Sequence, residues 1–415
     1  MKEKKLIPRI RFSEFSDPWK QCDFDEVFDY LGKNSLSRAK LTSQRRTLQN
    51  VHYGDILTKY GSILDTSIEC IPYIEDENLT SKLMPSLLKD GDIIIADAAE
   101  DDTVGKATEI VNIRNSKVVS GLHTIPCRPK CFFGKGYLGY YTNSKAYHNQ
   151  LLPLMQGTKV SSISKTILKE TIIRFPSSTK EQELISKYLL GVDRYIELQQ
   201  QEYNKLLIIK KAMLGKMFPK SGAEVPMIRF KEFSTPWKQY KLSECFDERR
   251  EKSSVGELIS VTINDGIKKF SELGRHDNSS DDKSNYKRVE IGDIAYNSMR
   301  MWQGASGYSQ YSGIVSPAYT VITPKEGVDS LFFSYIFKIP QMINIFKLRS
   351  QGITSDTWNL KYPAFGEIEV LMPTLAEQKK IRDYFKKIDQ LINLHKYKLE
   401  KLKNIKSGCL EQMFV

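Results

Sequence analysis

Two stretches, 179–218 and 375–414, space their apolar residues alternately three and four apart, with Lys, Glu and Gln between them. The first seam reads Leu189, Val192, Ile196, Gln199, Tyr203, Leu206, Lys210 and Met213. The second reads Phe385, Ile388, Ile392, His395, Leu399, Leu402, Lys406 and Cys409. Such a seam, held for about four heptads, predicts two coiled-coil helices, each about 55–60 Å long. Ser178 with Glu181, and Thr374 with Glu377, give S/T-x-x-E at both starts. That spacing predicts a reciprocal capping box, in which the glutamate reaches back to the N-cap amide. The remaining chain lacks this period. Short β-branched and aromatic runs (GDIIIA, AYTVIT, IEVLMP), punctuated by Gly, Asn, Asp and Ser, predict mixed α+β globules. Within them, GYLGYYTNSKAYHNQLLPLM (136–155) and SLFFSYIFKIPQMINIFKL (330–348) read as matching helices.

The pattern occurs twice because the chain is duplicated. IRFSEFSDPWKQ (10–21) and IRFKEFSTPWKQ (228–239) agree at ten of twelve positions. KDGDIIIAD answers to EIGDIAYNS, SGLHTIPCRP to SPAYTVITP, LMQGTKVSSIS to LRSQGITSDTW, and KKAMLGKMF to KSGCLEQMF, always in the same order. The predicted fold is therefore α+β: two tandem mixed α/β globules separated by a long two-helix coiled coil with pseudo-two-fold symmetry. Expected boundaries are 1–175 for the first globule and 176–218 for the central helix. The second globule is expected at 219–372, with a short linker at 219–224, and the C-terminal helix at 373–415. The second globule opens directly after the first helix, so the two helices are expected to run antiparallel and to bring Met1 near Val415.

A net charge of +12 and a pI near 9.1 point to a polyanionic partner. No secretory leader and no membrane-spanning run is evident, and six scattered cysteines fit a reducing cytoplasm. Enzymatic signatures are missing: there is neither G-x-x-x-x-G-K-[ST] nor an Asn/Asp-Pro-Pro-aromatic tetrapeptide. GKGYLG (134–139) fits G-x-G-x-x-G, but the next acidic residue is Glu170, so a dinucleotide loop is not expected. CRPKC (127–131) has no second Cys/His pair at zinc spacing, so neither a metal nor a catalytic residue is assigned.

The order IRFxEFSxPWK, GDI, QG, P(S/T)xxEQ, a long Leu/Lys helix and MF, written twice, resembles the specificity subunit of type I restriction–modification enzymes. The likeness covers the whole chain. It implies two target recognition domains, each reading half of a bipartite asymmetric sequence in double-stranded DNA, with the helices setting the spacing. It also implies two docked methyltransferase subunits and further restriction/translocase subunits. S-adenosylmethionine, ATP and Mg would then be used by those partners and no cofactor by this chain, which is no enzyme on its own. Two other readings stay open at this point: a coiled-coil scaffold that reads no DNA, and a self-sufficient DNA-modifying enzyme with a cryptic site.

The expected DNA-facing residues lie in polar loops beside the landmarks. QGTKVSSISK offers Lys159, Ser161, Ser164 and Lys165, and QGITSDTWN offers Thr354, Ser355, Trp358 and Asn359. After the second GDI, SMRMWQG brings Arg300, Trp302 and Gln303, whose chemistry suits guanine and adenine edges. The matching loop of the first half, DAAEDDTVGK, is acidic apart from Lys106, so Arg45, Arg46 and Lys59 are candidates there. Phe12, Phe15 and Trp19, with their copies, read as a hydrophobic clasp and not as base contacts.

Overall fold

A computed structural model describes residues 6–157, 160–220, 222–263, 266–274, 276, 279, 281–354 and 357–415. Both long helices form, as Thr179–Leu214 and Leu375–Gln412. Their seam positions are all buried or half-buried, with the most buried at Leu189, Gln199, Phe385, Ile388, Ile392, Leu399 and Cys409. The heptad spacing therefore selects the inward face.

The chain divides into two compact units, Met1–Gln200 with Tyr397–Val415, and Gln201–Lys396. Each long helix contributes to both. In the first unit a five-stranded sheet runs in the order Phe28–Tyr30, Thr124–Pro129, Ile93–Ala96, Ala107–Val111, Ile63–Asp65. The central strand Ile93–Ala96 is apolar throughout and fully buried, as a strand covered on both faces must be. A four-stranded sheet (Val118–Ser120, Gln49–Val51, Tyr73–Ile74, Leu41–Thr42) packs its apolar side into separate clusters around Val51, Ile56 and Leu48. In the second unit the corresponding sheet is Phe246–Glu248, Tyr319–Pro324, Ile294–Asn297, Ser306–Tyr308. Two further strand pairs, Ile259–Thr262 with Gly266–Lys269 and Lys287–Val289 with Gly313–Val315, replace the four-stranded sheet.

The apolar stretches expected as single helices each break into two. Ser144 caps Lys145–Leu151 after Tyr137–Thr142, and Pro340 opens Pro340–Arg349 after Ser330–Ile336. A side-chain oxygen that takes over an N-terminal amide, and a ring that cannot donate one, both restart a helix. The glycines of GKGYLG serve this packing. Gly136 holds φ +81° at the helix start, and a Cβ on Gly139 would lie 2.1 Å from the Ser62 carbonyl oxygen. The amides of Gly136 and Gly139 donate to the buried Glu109 carboxylate at 2.6 and 3.0 Å. Burial nonetheless pushes the Glu109 carboxyl up to about 7, because these amide contacts do not replace its hydration.

The duplicated opening has a physical role that the sequence only half discloses. Ser178 Oγ accepts from the Glu181 amide (3.4 Å), as a cap should. The Glu181 carboxylate, however, does not complete the box. It accepts from Arg11 Nε (2.7 Å), Arg11 Nη2 (2.9 Å) and the Trp19 indole (3.3 Å). Glu377 does the same with Arg229 (2.8 and 2.8 Å) and Trp237 (3.3 Å). A two-point guanidinium pair away from water is stronger than a solvated local cap, so the long-range partner wins. The expected clasp is thus a charged hook carried on an aromatic one. Trp19 packs on Phe414 and Tyr137, and Trp237 packs on Phe218 and Phe332. The Ile10 amide donates to Gln412 O (3.0 Å), and the Ile228 amide to Lys216 O (2.9 Å). The beginning and end of the chain thus share one core, as the antiparallel arrangement requires; Met1 itself lies outside the described residues.

Within each unit the helix segments run antiparallel and are locked alike. In the first, Asp193 accepts from the Tyr140 hydroxyl (2.8 Å) and pairs with Lys406 (2.6 Å). In the second, Asp389 accepts from the Tyr335 hydroxyl (2.9 Å) and pairs with Lys210 (2.6 Å). A lysine at an apolar seam position is explained by this ring of partners: its stem packs while its charge meets a carboxylate.

Candidate nucleic-acid interface

Most of the sequence candidates fall on two loops per unit, and in both units the fold ties those loops together. In the second unit the strand Ile294–Asn297 runs into a turn carrying Arg300, Trp302 and Gln303. The QG loop returns to it through one main-chain bond, Leu360 N to Ser298 O (2.9 Å). Gln351 and Asn359 exchange main-chain bonds (3.0 and 2.8 Å) and pinch the loop base. Trp302 and Trp358 then meet edge to face at 5.2 Å, and the Lys347 ammonium stands 5.7 Å from the Trp358 ring. The Trp302 indole donates to Met299 O (3.1 Å), which fixes the ring. Arg300 and Thr354 are exposed, Gln303 is half-buried, and the Asn359 side-chain oxygen is buried with no partner among the described residues. Ile353, at 99% exposure, projects from the same loop. Lys347 belongs to this surface although it stands outside the landmark positions, and Ile353 belongs to it although it was not among the candidates of its loop. Ser355 lies outside the described residues.

The first unit repeats the tie with different side chains. Ile163 N donates to Asp97 O (3.0 Å), and Ser161–Ser162 pairs with Ala98–Ala99. Gln156 and Ser162 pinch the loop as Gln351 and Asn359 do. Ser164 accepts from the Ile167 amide (3.3 Å) as an N-cap, and Lys165 places its ammonium 5.0 Å from the Tyr30 ring. Lys159 lies outside the described residues.

The remaining basic candidates are held elsewhere. Arg45 and Arg46 are exposed beyond the strand Leu41–Thr42, with the Arg46 guanidinium on Gln44 Oε1 (3.3 Å). Lys59 donates to Cys70 O, and Lys106 donates to Leu57 O (2.9 Å) from a half-buried position. Burial lowers the Lys106 ammonium pKa, and the charge of Lys406 adds to the effect. A lysine whose ammonium is engaged by its own fold has less left for a phosphate. Lys59 also lines a cleft of about 700 Å³ in the first unit, where Lys135, Lys187 and Arg194 alternate with Asp65, Glu69 and Glu183. That mixed lining sets up no uniform field. Among the described residues no His, Cys, Asp and Glu cluster has metal-binding geometry, and no helix is long and apolar enough to cross a membrane.

The second unit also contains a groove of about 770 Å³, walled by Tyr286, Asn297, Pro317 and Tyr319. Asn297 leads into the Arg300–Trp302 turn. The surface thus combines a cleft, edge-to-face aromatic rings and cations, a set suited to base edges and phosphates.

The fold and the duplication have counterparts among known proteins. A type I restriction–modification system S subunit from M. genitalium superposes with a TM-score of 0.58 over 99% of both chains, at 16% identity. The HsdS subunit of Thermoanaerobacter tengcongensis matches over 95% of this chain and 96% of its own, with a TM-score of 0.44 and 15% identity. The family model for the type I restriction modification DNA specificity domain matches twice, over residues 18–207 and 235–404. With two copies of that domain along most of its length, the chain belongs to the family of type I restriction–modification DNA specificity proteins.

Proposed function

We propose that this chain is the DNA-reading subunit of a type I restriction–modification complex, and that each unit reads one half of a split, asymmetric site. The observation that carries the reading is the pairing of loops: one scaffold, used twice, ties the post-GDI loop to the QG loop, while the side chains it presents differ. Asp97, Ser161 and Lys165 occupy the face in the first unit; Arg300, Trp302 and Trp358 occupy it in the second. Repeated framework with unrepeated read-out is what two different half-sites demand. In this reading Arg and Lys mainly hold phosphates, and the aromatic and amide groups meet base edges.

The paired helices fix the gap between half-sites and carry two quasi-equivalent surfaces for two methyltransferase subunits. Restriction/translocase subunits join through that assembly. S-adenosylmethionine, ATP and Mg act in those partners, and the chain itself supplies specificity without a reacting group. Mapping methylated adenines in cells with and without this gene tests the proposal. A bipartite motif that disappears with the gene is the expected result, and an unchanged methylation map would refute it.

A further inference from the structure

A second polar constellation stands beside the read-out loops of the first unit, and none of its members is explained by packing. His123 occupies the turn between Val118–Ser120 and Thr124–Pro129 with φ +53°, a left-handed conformation that costs a non-glycine residue free energy. The fold holds that conformation from several sides. The Asp97 amide donates to His123 O (3.1 Å), and the ring meets Tyr53 edge to face at 5.2 Å. His123 Nδ1 lies 3.1 Å from Asp97 Oδ1, and the Lys33 ammonium lies 2.7 Å from Asp97 Oδ2. Lys33 is itself braced, because Leu31 N donates to Pro126 O (2.9 Å) and Asn34 N to Ser120 O (2.9 Å). Asp97 is the residue whose carbonyl receives the QG loop through Ile163, so the constellation adjoins the candidate interface. The His123 side chain keeps 49% of its surface exposed, whereas Asp97 keeps 15%. In the register of the repeat, the second unit has Ser298 for Asp97 and Ala318 for His123. The device is therefore present in one unit only.

We infer that His123, oriented by Asp97 and Lys33, is a specificity-determining residue of the first unit, and that it selects a base bearing an exocyclic amine, adenine or cytosine. The inference rests on the DNA-reading function proposed above. An ionised carboxylate can only accept, so the neutral ring keeps its proton on Nδ1 and turns the Nε2 lone pair outward. An outward acceptor matches the N6 amine of adenine or the N4 amine of cytosine in the major groove, and meets only acceptors on guanine and thymine. Asp97 and Lys33 are positioning residues: they set the tautomer and the ring angle without reaching the base.

The test is selection from a randomised duplex library by the full chain, purified with the subunits that accompany it, followed by sequencing. His123→Asn tolerates the left-handed backbone and removes the ring. It should cut the preference at one base pair of one half-site by about tenfold and leave the other half-site unchanged. Asp97→Asn gives a sharper readout. With its oxygen held by Lys33, its amide nitrogen faces Nδ1, the proton moves to Nε2, and the preferred base should change from amine to acceptor, guanine or thymine. Circular dichroism and thermal melting verify that both variants fold. An unchanged motif in both variants overturns the role of His123 while leaving DNA reading intact. A uniform loss over both half-sites also overturns it, because the residue then acts through the fold. A wild-type chain that enriches no motif overturns the proposed function, and the inference with it.

Discussion

Replacing Glu181 by Ala would open one unit and not the other. Glu181 is 1% exposed, and its carboxylate is the shared acceptor for Arg11 and for the Trp19 indole. Truncation leaves a guanidinium with only 10% of its side-chain surface exposed without its hydrogen-bonded counter-charge. Breaking a buried pair this way costs about 3–5 kcal/mol. The lower end applies here because Arg11 retains some contact with water. A loss of about 3 kcal/mol is about 150-fold in the equilibrium for unlatching the segment, since each tenfold corresponds to about 1.4 kcal/mol. Native-state hydrogen exchange reads it directly. The Ile10 amide (to Gln412 O, 3.0 Å) and the Trp19 amide (to Leu6 O, 2.8 Å) should lose about two decades of protection. The Ile228 and Trp237 amides, which occupy the equivalent latch in the second unit, should exchange as in the wild type. Glu377→Ala should reverse the pattern. Equal effects on both latches, or less than tenfold on the latch whose own glutamate is removed, would refute the view that these glutamates hold their own units shut.

Further outcomes follow from other contacts. Glu109 has its carboxyl pushed up to about 7, above its ordinary 4.5, so the folded state binds the extra proton between those values. Stability of the first unit should therefore fall as pH rises from about 4.5 to 7 and level off above, by up to about 3 kcal/mol, and Glu109→Gln should flatten the slope in urea titrations taken at successive pH values. Asp389→Ala removes the acceptor of the Tyr335 phenol and the partner of a partly exposed Lys210; a cost of about 1–2 kcal/mol is expected from urea midpoints, mostly from the phenol. Trp358→Ala removes the ring that supports Trp302, and library selection should show a weakened preference in one half-site only, whereas a uniform loss would mean a folding defect. Exchanging residues 22–175 for the equivalent domain of another family member should alter one half of the recognised sequence, and a change in both halves would contradict independent reading.

The duplication, the seam and the antiparallel course were legible in the sequence because each rests on periodicity or order, which survive without coordinates. Leu189, Ile388 and Leu399 lie where the 3–4 spacing puts them. The role of Glu181 was only half legible: S-x-x-E is a local signal, while the partners that capture its carboxylate stand 162 and 170 residues away. The loops of the interface could be placed because they follow landmarks, yet nothing local says that Trp302 reaches Trp358, or that Lys106 turns inward to Leu57 O. His123 was invisible for a similar reason. Its distinction is a backbone angle and a carboxylate 26 residues earlier, neither of which a list of residue types contains.

The shared core of the first unit also dictates an order of events during synthesis. Its cluster around Trp19, Tyr137 and Tyr141 is closed by Cys409, Met413 and Phe414, nearly four hundred residues after the first of them. The second unit draws on one continuous stretch, Gln201–Lys396, and has all its parts once that stretch has left the ribosome. The half translated first is therefore the half completed last. Until residue 414 emerges, the Trp19 indole and the rings of Tyr137 and Tyr141 lack their covering phenylalanine, which makes the nascent first unit a natural client for a chaperone that holds apolar surface. A premature stop between Lys396 and Phe414 would spare the second unit and leave the first one open, although every codon of its globular part had been read.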